Sequence, residues 1–171
     1  MVEPAPDDCA RHTHGAGAGR YRTTVTERRL LLVNGPNLNL LGVRQPEVYG
    51  ATTLAEIETR VAEIAAESGL QVRAVQSNHE GVLIDAIQAA RADCVGIVIN
   101  PAAYSHTSVA IADALRSAGL PVAEVHLSNI HAREEFRHHS YVSAVADMVV
   151  AGAGPMGYEV AVRYLASRLA P

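Results

Sequence analysis

Lysine is missing from this chain: all fourteen of its basic residues are arginine. Schiff-base chemistry and a phosphate loop built on lysine are thereby excluded. Any cationic role falls to arginine, which holds its proton and offers oxyanions a planar fork. Tryptophan is absent too, and the single phenylalanine is Phe136, so the core must be aliphatic. Two cysteines, Cys9 and Cys94, are too few for a disulfide framework. Cys9 reads as a tail thiol and Cys94 as a small core residue. No apolar run is long enough to span a bilayer. Residues 1–27 lack the apolar stretch of a secretory signal, and the expected compartment is the cytoplasm. A net charge of −4 argues against a nucleic-acid partner or an anionic membrane surface.

What is present fits one domain of 171 residues. Residues 1–27, with their GAGAG run and an isolated His12/His14 pair, read as a disordered extension. From there on, short apolar runs alternate with amphipathic stretches. Strands are expected at 30–34, 70–76, 95–99, 121–125 and 148–151. Helices are expected at 53–68, where Thr53 and Glu56 make a capping box, at 78–91 with Asn78 as cap, at 107–118, and from Gly154-Pro155 onward. Five strands alternating with helices give an α/β fold: a doubly wound, five-stranded parallel sheet, flavodoxin-like, in a single domain over 28–171. Such sheets bind ligands at the carboxyl ends of their strands. The Gly-rich 151–155 segment opens a helix but lacks the spacing of a dinucleotide loop.

Four polar sets fall at that edge: Asn34/Asn37, Asn78/His79, Asn100 to His106, and His126 to Asn129. Chemistry is sought in four sets of residues along the chain. The first strand runs into NGPNLNLLGVRQPEVYG at 34–50, a loop broken by Pro36, Gly42, Pro46 and Gly50 that carries Asn37, Arg44 and Tyr49. A loop tyrosine usually packs or donates a hydrogen bond. A guanidinium close by would favour its phenolate and make it a base. In the second set, Asn100 precedes Pro101, which bars it from helical geometry, and His106 follows near the next helix; a turn with a helix cap is the plainer reading. In the third, Glu124 and His126 point to one side of a strand. A carboxylate there fixes the imidazole tautomer and suits it to general acid work, while a core ion pair accounts for it equally well. In the fourth, Arg133 and Arg137 are four apart, on one face if helical, suited to a carboxylate or phosphate, or simply paired with Glu134 and Glu135. His131, His138 and His139 lack metal-site spacing.

These stretches, with QSNHEG at 76–81, INPAAYSHTSVAIADA at 99–114, EVHLSN at 124–129, REEFRHHS at 133–140 and GAGPMGY at 152–158, resemble the type II 3-dehydroquinate dehydratases over residues 29 to 169. The resemblance implies trans dehydration of 3-dehydroquinate to 3-dehydroshikimate, in the shikimate pathway, with no metal and no organic cofactor. By it, Tyr49 is the general base, Arg44 the residue that lowers its pKa, and Asn37 the holder of a water at the enolate oxygen. His126 is the acid, oriented by Glu124. Asn100, His106, Leu127, Ser128 and Arg137 match substrate-binding positions, and Arg133 matches an arginine beside a lid that carries Arg44 and Tyr49. Asp113 matches a residue that reaches a neighbouring subunit's site, and the implied assembly is a homododecamer, a tetramer of trimers. The competing reading, a non-catalytic module for a phosphate or nucleotide, leaves Arg44/Tyr49 and Glu124/His126 without purpose.

Overall fold

The chain's apolar runs pair into one parallel sheet in a computed structural model that describes residues 28–43 and 51–169. Strands β1 (Arg28–Asn34), β2 (Leu70–Gln76), β3 (Gly96–Asn100), β4 (Val122–His126) and β5 (Met148–Ala151) lie in the order 2-1-3-4-5, every neighbouring pair parallel. This is the flavodoxin-like order expected from the sequence. β1 starts two residues ahead of its apolar run. Backbone pairing of Arg28 and Arg29 with Leu70 and Gln71, not hydropathy, sets that boundary.

Helices α1 (Leu54–Glu67), α2 (Glu80–Ala89), α3 (Val109–Ala118) and α4 (Met156–Leu169) cover both faces. The central strands show why two cores form. Leu30 and Leu32 pack with α1 and α4, while Leu31 and Val33, pointing the other way, pack with α2 and α3. Burial on both faces requires strands that are apolar throughout, and β3 is buried at every position. Tyr158, the largest side chain fully enclosed, belongs to the α1/α4 layer. No helix among the described residues is long and apolar enough to cross a membrane.

The Thr53–Glu56 capping box is present: Thr53 Oγ1 accepts from the Glu56 amide at 3.3 Å and Glu56 accepts from the Thr53 amide at 2.7 Å. The cap expected of Asn78 is not. His79 precedes α2 and caps nothing with its side chain. Asn78 Oδ1 instead accepts the Asn37 amide at 2.8 Å, because that distant N–H has no other partner in its turn, and Ser77 Oγ takes the His79 amide. The helix expected from 107 begins at Val109, where Ser108 Oγ accepts the Ile111 amide at 2.8 Å. Residues Ala102–His106 form a separate 3-10 helix before it. Arg133 and Arg137 do not share a helical face: Arg133 is extended between short 3-10 turns at Ile130–Ala132 and Glu135–Arg137.

Candidate active site

The strand order reverses between β1 and β3, where Asn34 and Asn100 are register partners. Connections leave these two strands in opposite directions, so a cleft opens beyond their carboxyl ends. The loops beyond them touch. The Gly35 amide donates to the Asn100 carbonyl at 2.8 Å, and a Cβ at Gly35 would lie 2.3 Å from the Pro101 carbonyl oxygen. Only glycine fits this approach. Just past it, Asn37 (φ 65°) and Ala102 (φ 51°) both take left-handed backbone. Two non-glycine residues in that region cost free energy, about 1 kcal/mol or more each, and such strain collects at binding sites.

A cleft of about 150 Å³ lies here, lined by Leu38, Leu41 and Ile130 together with polar groups. Of the sequence-predicted residues, Asn37, Asn100, His106, His126, Leu127, Ser128, Arg133 and Arg137 all line it. Glu124 stands behind His126. Asp113 is not among them. It is exposed on α3 and accepts from Arg116 at 2.8 Å. Arg44 and Tyr49 lie outside the described residues, as do Cys9, His12 and His14.

Glu124 is completely buried. His126 Nε2 donates to its Oε1 at 2.8 Å, Ser140 Oγ donates to the same oxygen at 2.6 Å, and Ser143 Oγ donates to Oε2. Burial pushes the carboxyl pKa up, but the three donors outweigh it and hold Glu124 below the usual carboxylate range. An ionised Glu124 fixes the His126 tautomer: Nε2 carries a proton, and Nδ1 is the nitrogen left to exchange one. A strand spacing of two, legible in the sequence, created this pair. Ser140 and Ser143 come from a segment with no strand or helix period, and nothing local announced them.

His106 works differently. Its Nδ1 donates to the His139 carbonyl at 2.8 Å. Burial pushes its imidazole below the ordinary pKa against that bond, and the Arg137 charge adds to the depression. A neutral ring with Nδ1–H engaged presents Nε2 as an acceptor. Ser105 Oγ is 3.2 Å from both ring nitrogens, hence over the ring rather than in its plane, and its own proton goes to the Ala102 carbonyl.

The two arginines meet at Glu134. Arg137 gives its Nε–H to Glu134 at 2.8 Å, and Arg133 Nε is 3.6 Å from the same oxygen. Arg137 also stacks on Phe136, with its guanidinium carbon 4.8 Å from the ring centre. Both guanidiniums reach the cleft. Its lining among the described residues thus carries two arginines, two amides and two imidazoles, and no carboxylate. That set suits an anion rich in hydroxyl groups.

Behind the Asn100 amide sit Asn34, which the polar set at the end of the first strand pointed to, and Tyr158 and Glu58, which carried no local signal. Tyr158 donates to Asn34 Oδ1 at 2.9 Å and accepts from Asn100 Nδ2 at 2.9 Å, while Asn34 Nδ2 donates to Glu58 at 3.2 Å. Among the described residues no buried side-chain polar atom lacks a partner.

Comparison with known proteins agrees with this geometry. The family model "Dehydroquinase class II" matches residues 28–166. A 3-dehydroquinate dehydratase of Cereibacter sphaeroides is 63% identical over 138 residues, 81% of this chain and 94% of that protein. A catabolic 3-dehydroquinase of Pyricularia oryzae is 56% identical over 142 residues, 82% of this chain and 90% of its own length. The crystal structure of a type II dehydroquinase from Propionibacterium acnes superposes with a TM-score of 0.79 at 48% identity, covering 82% of this chain and 97% of the other.

Proposed function

The chain belongs to the class II dehydroquinase family, and from that premise we propose that it removes water from 3-dehydroquinate to give 3-dehydroshikimate. The observation that carries the proposal is the buried Glu124–His126 pair opening onto a cleft whose lining, among the described residues, holds two arginines and no carboxylate. The substrate is a carboxylate with several hydroxyls and a ketone, which is the chemistry this lining accommodates.

In this reading the elimination is trans and stepwise. Tyr49, as phenolate beside Arg44, takes the proton from C2, next to the C3 ketone, and the electron pair passes into an enolate. Asn37 holds a water against the enolate oxygen. When the enolate collapses, the C1–O bond breaks and His126 Nδ1 gives its proton to the leaving hydroxyl, so that water departs. Glu124 stabilises the imidazolium that must be present first, and accepts its Nε2–H throughout. His106, Asn100, Ser128, the Leu127 backbone and Arg137 hold the substrate, with Arg133 beside the segment that carries Arg44 and Tyr49. No cofactor enters this scheme.

Asp113 is exposed on α3 and does not line its own cleft. We assign it to the cleft of a neighbouring copy in a homododecamer of four trimers, in the cytoplasm. Relatives named 3-dehydroquinate dehydratase and catabolic 3-dehydroquinase are both similar to this chain, and the shikimate pathway is the proposed setting.

The test is direct. Purified protein mixed with 3-dehydroquinate is followed by ultraviolet absorbance of the conjugated enone product. Turnover is expected, and Tyr49→Phe is expected to abolish most of it while leaving the circular dichroism unchanged. Absence of product at micromolar enzyme overturns the assignment.

A further inference from the structure

The amides behind the cleft form a hydrogen-bond chain with one permitted direction. Glu58, half-buried on α1, accepts from Asn34 Nδ2; Asn34 Oδ1 accepts from the Tyr158 hydroxyl; the Tyr158 oxygen accepts from Asn100 Nδ2. Asn34, Tyr158 and Asn100 are 0%, 0% and 3% exposed, so water cannot substitute for a missing partner.

The direction follows from valence. A carboxylate only accepts, so Asn34 must turn its NH2 toward Glu58 and its carbonyl oxygen toward Tyr158. A phenol has one proton, and Asn34 takes it. Asn100 must then meet the phenol oxygen with an N–H. The other end agrees: Asn100 Oδ1 accepts the Ala102 amide at 3.1 Å, and a backbone N–H cannot be reversed. Tyr158 stays a phenol, since burial raises its pKa against the bond from Asn100 and the Glu58 charge raises it further.

We propose that Asn34 and Tyr158 are positioning residues through which Glu58 sets the end of the Asn100 amide that faces the substrate. The proposal rests on the reading of this cleft as the dehydration site. It extends the site across the sheet to α1 and α4, and it explains why a tyrosine in the last helix is fully buried with its hydroxyl at the strand ends. Asn100 turned over would place its NH2 against the Ala102 N–H and its oxygen against the phenol oxygen. A substrate hydroxyl would then meet the wrong partner.

Such a fault changes binding, so it is read in KM. A merely structural fault lowers the active fraction and hence kcat, leaving KM where it was. Tyr158→Phe is expected to raise KM roughly tenfold, with kcat changed less than about threefold, on the usual cost of leaving a buried polar group unpaired. Asn34→Asp sets two carboxylates face to face; their repulsion draws the new carboxylate off the phenol, and KM at mildly alkaline pH is expected to rise at least as much. Adding Glu58→Gln to Asn34→Asp removes the repulsion: the new amide donates to the new carboxylate, which again seats against the phenol and accepts from Tyr158. KM of this double variant is expected to return to within about threefold of the unsubstituted enzyme. An unchanged KM in folded Tyr158→Phe, or a double variant that regains melting temperature but not KM, overturns the proposal. If Tyr158→Phe does not fold, the paired substitution decides alone. The Asn100 side-chain amide resonances give a readout without turnover. Their protons are expected to be protected from exchange in the unsubstituted chain and to lose protection in Tyr158→Phe, and equal exchange in both sinks the inference whether or not the chain dehydrates anything.

Discussion

The two edges of the sheet each hold a carboxylate, and they stabilise it in opposite ways. At the amino edge, Asp93 is partly exposed and accepts from two guanidiniums, Arg29 at 3.0 Å and Arg73 at 3.1 Å. Burial works against its charge, but the Cys94 thiol and the two arginines prevail and lower its pKa. At the carboxyl edge, Glu124 is wholly buried and is held by two hydroxyls and an imidazole. Permanent cations make a fastening that never changes its protonation near neutral pH. Neutral donors and an imidazole keep the charge in place while leaving one partner able to give up a proton and take it back. The first arrangement is suited to holding strands and the second to chemistry: guanidiniums hold Asp93 where hydroxyls and an imidazole hold Glu124.

His126→Ala removes the titrating partner and should have the largest effect. A loss in kcat of about a thousandfold is expected, within the usual contribution of a general acid, with the fold intact by circular dichroism. Retained turnover would erase the distinction between the edges. Glu124→Gln comes next: the amide can keep His126 in place but cannot stabilise its cationic form. A fall of roughly a hundredfold in kcat is expected, together with a flattened acidic limb of the pH–rate profile.

Ser140→Ala tests whether neutral donors carry the Glu124 charge. Because Glu124 is depressed in the folded chain, its contribution to stability is complete above the unfolded carboxylate pKa and is lost as pH falls through the lower folded value. Removing one donor raises that folded value, so acid unfolding should begin at higher pH, with about 1 kcal/mol less stability at neutrality. An acid transition identical to that of the unsubstituted chain counts against the hydroxyl's role. Asp93→Asn should do least: about 1 kcal/mol or less in stability, diminished by added salt, with kcat and KM unmoved. A change in turnover there would mean that the amino edge reaches the site after all.

Much of this organisation was legible in the sequence because it is local. Apolar runs punctuated by Gly and Pro mark all five strands, and two-residue spacing puts Glu124 and His126 on one side. Thr53 caps its helix as its motif requires. What escaped was decided by tertiary partners. Asn78 lost its expected cap to the Asn37 amide, 41 residues away. Tyr158 is 124 residues from Asn34 and 58 from Asn100, and no helical period announces that its hydroxyl ends between two strands. Arg133 and Arg137 reach the cleft as expected, yet through 3-10 turns and a shared Glu134 rather than a helix face, since the segment is too short to close α-helical bonds.

The contact of Gly35 with the Pro101 carbonyl has a bearing on engineering. Two loops that meet backbone to backbone, bonded from the Gly35 amide to Asn100, are not separate modules. A first loop grafted from a relative will seat correctly only if the third-strand turn comes with it. Libraries that diversify either stretch alone should therefore yield mostly misassembled variants, whereas recombination at boundaries that keep 34–37 with 100–102 preserves the mouth of the cleft as one inherited block.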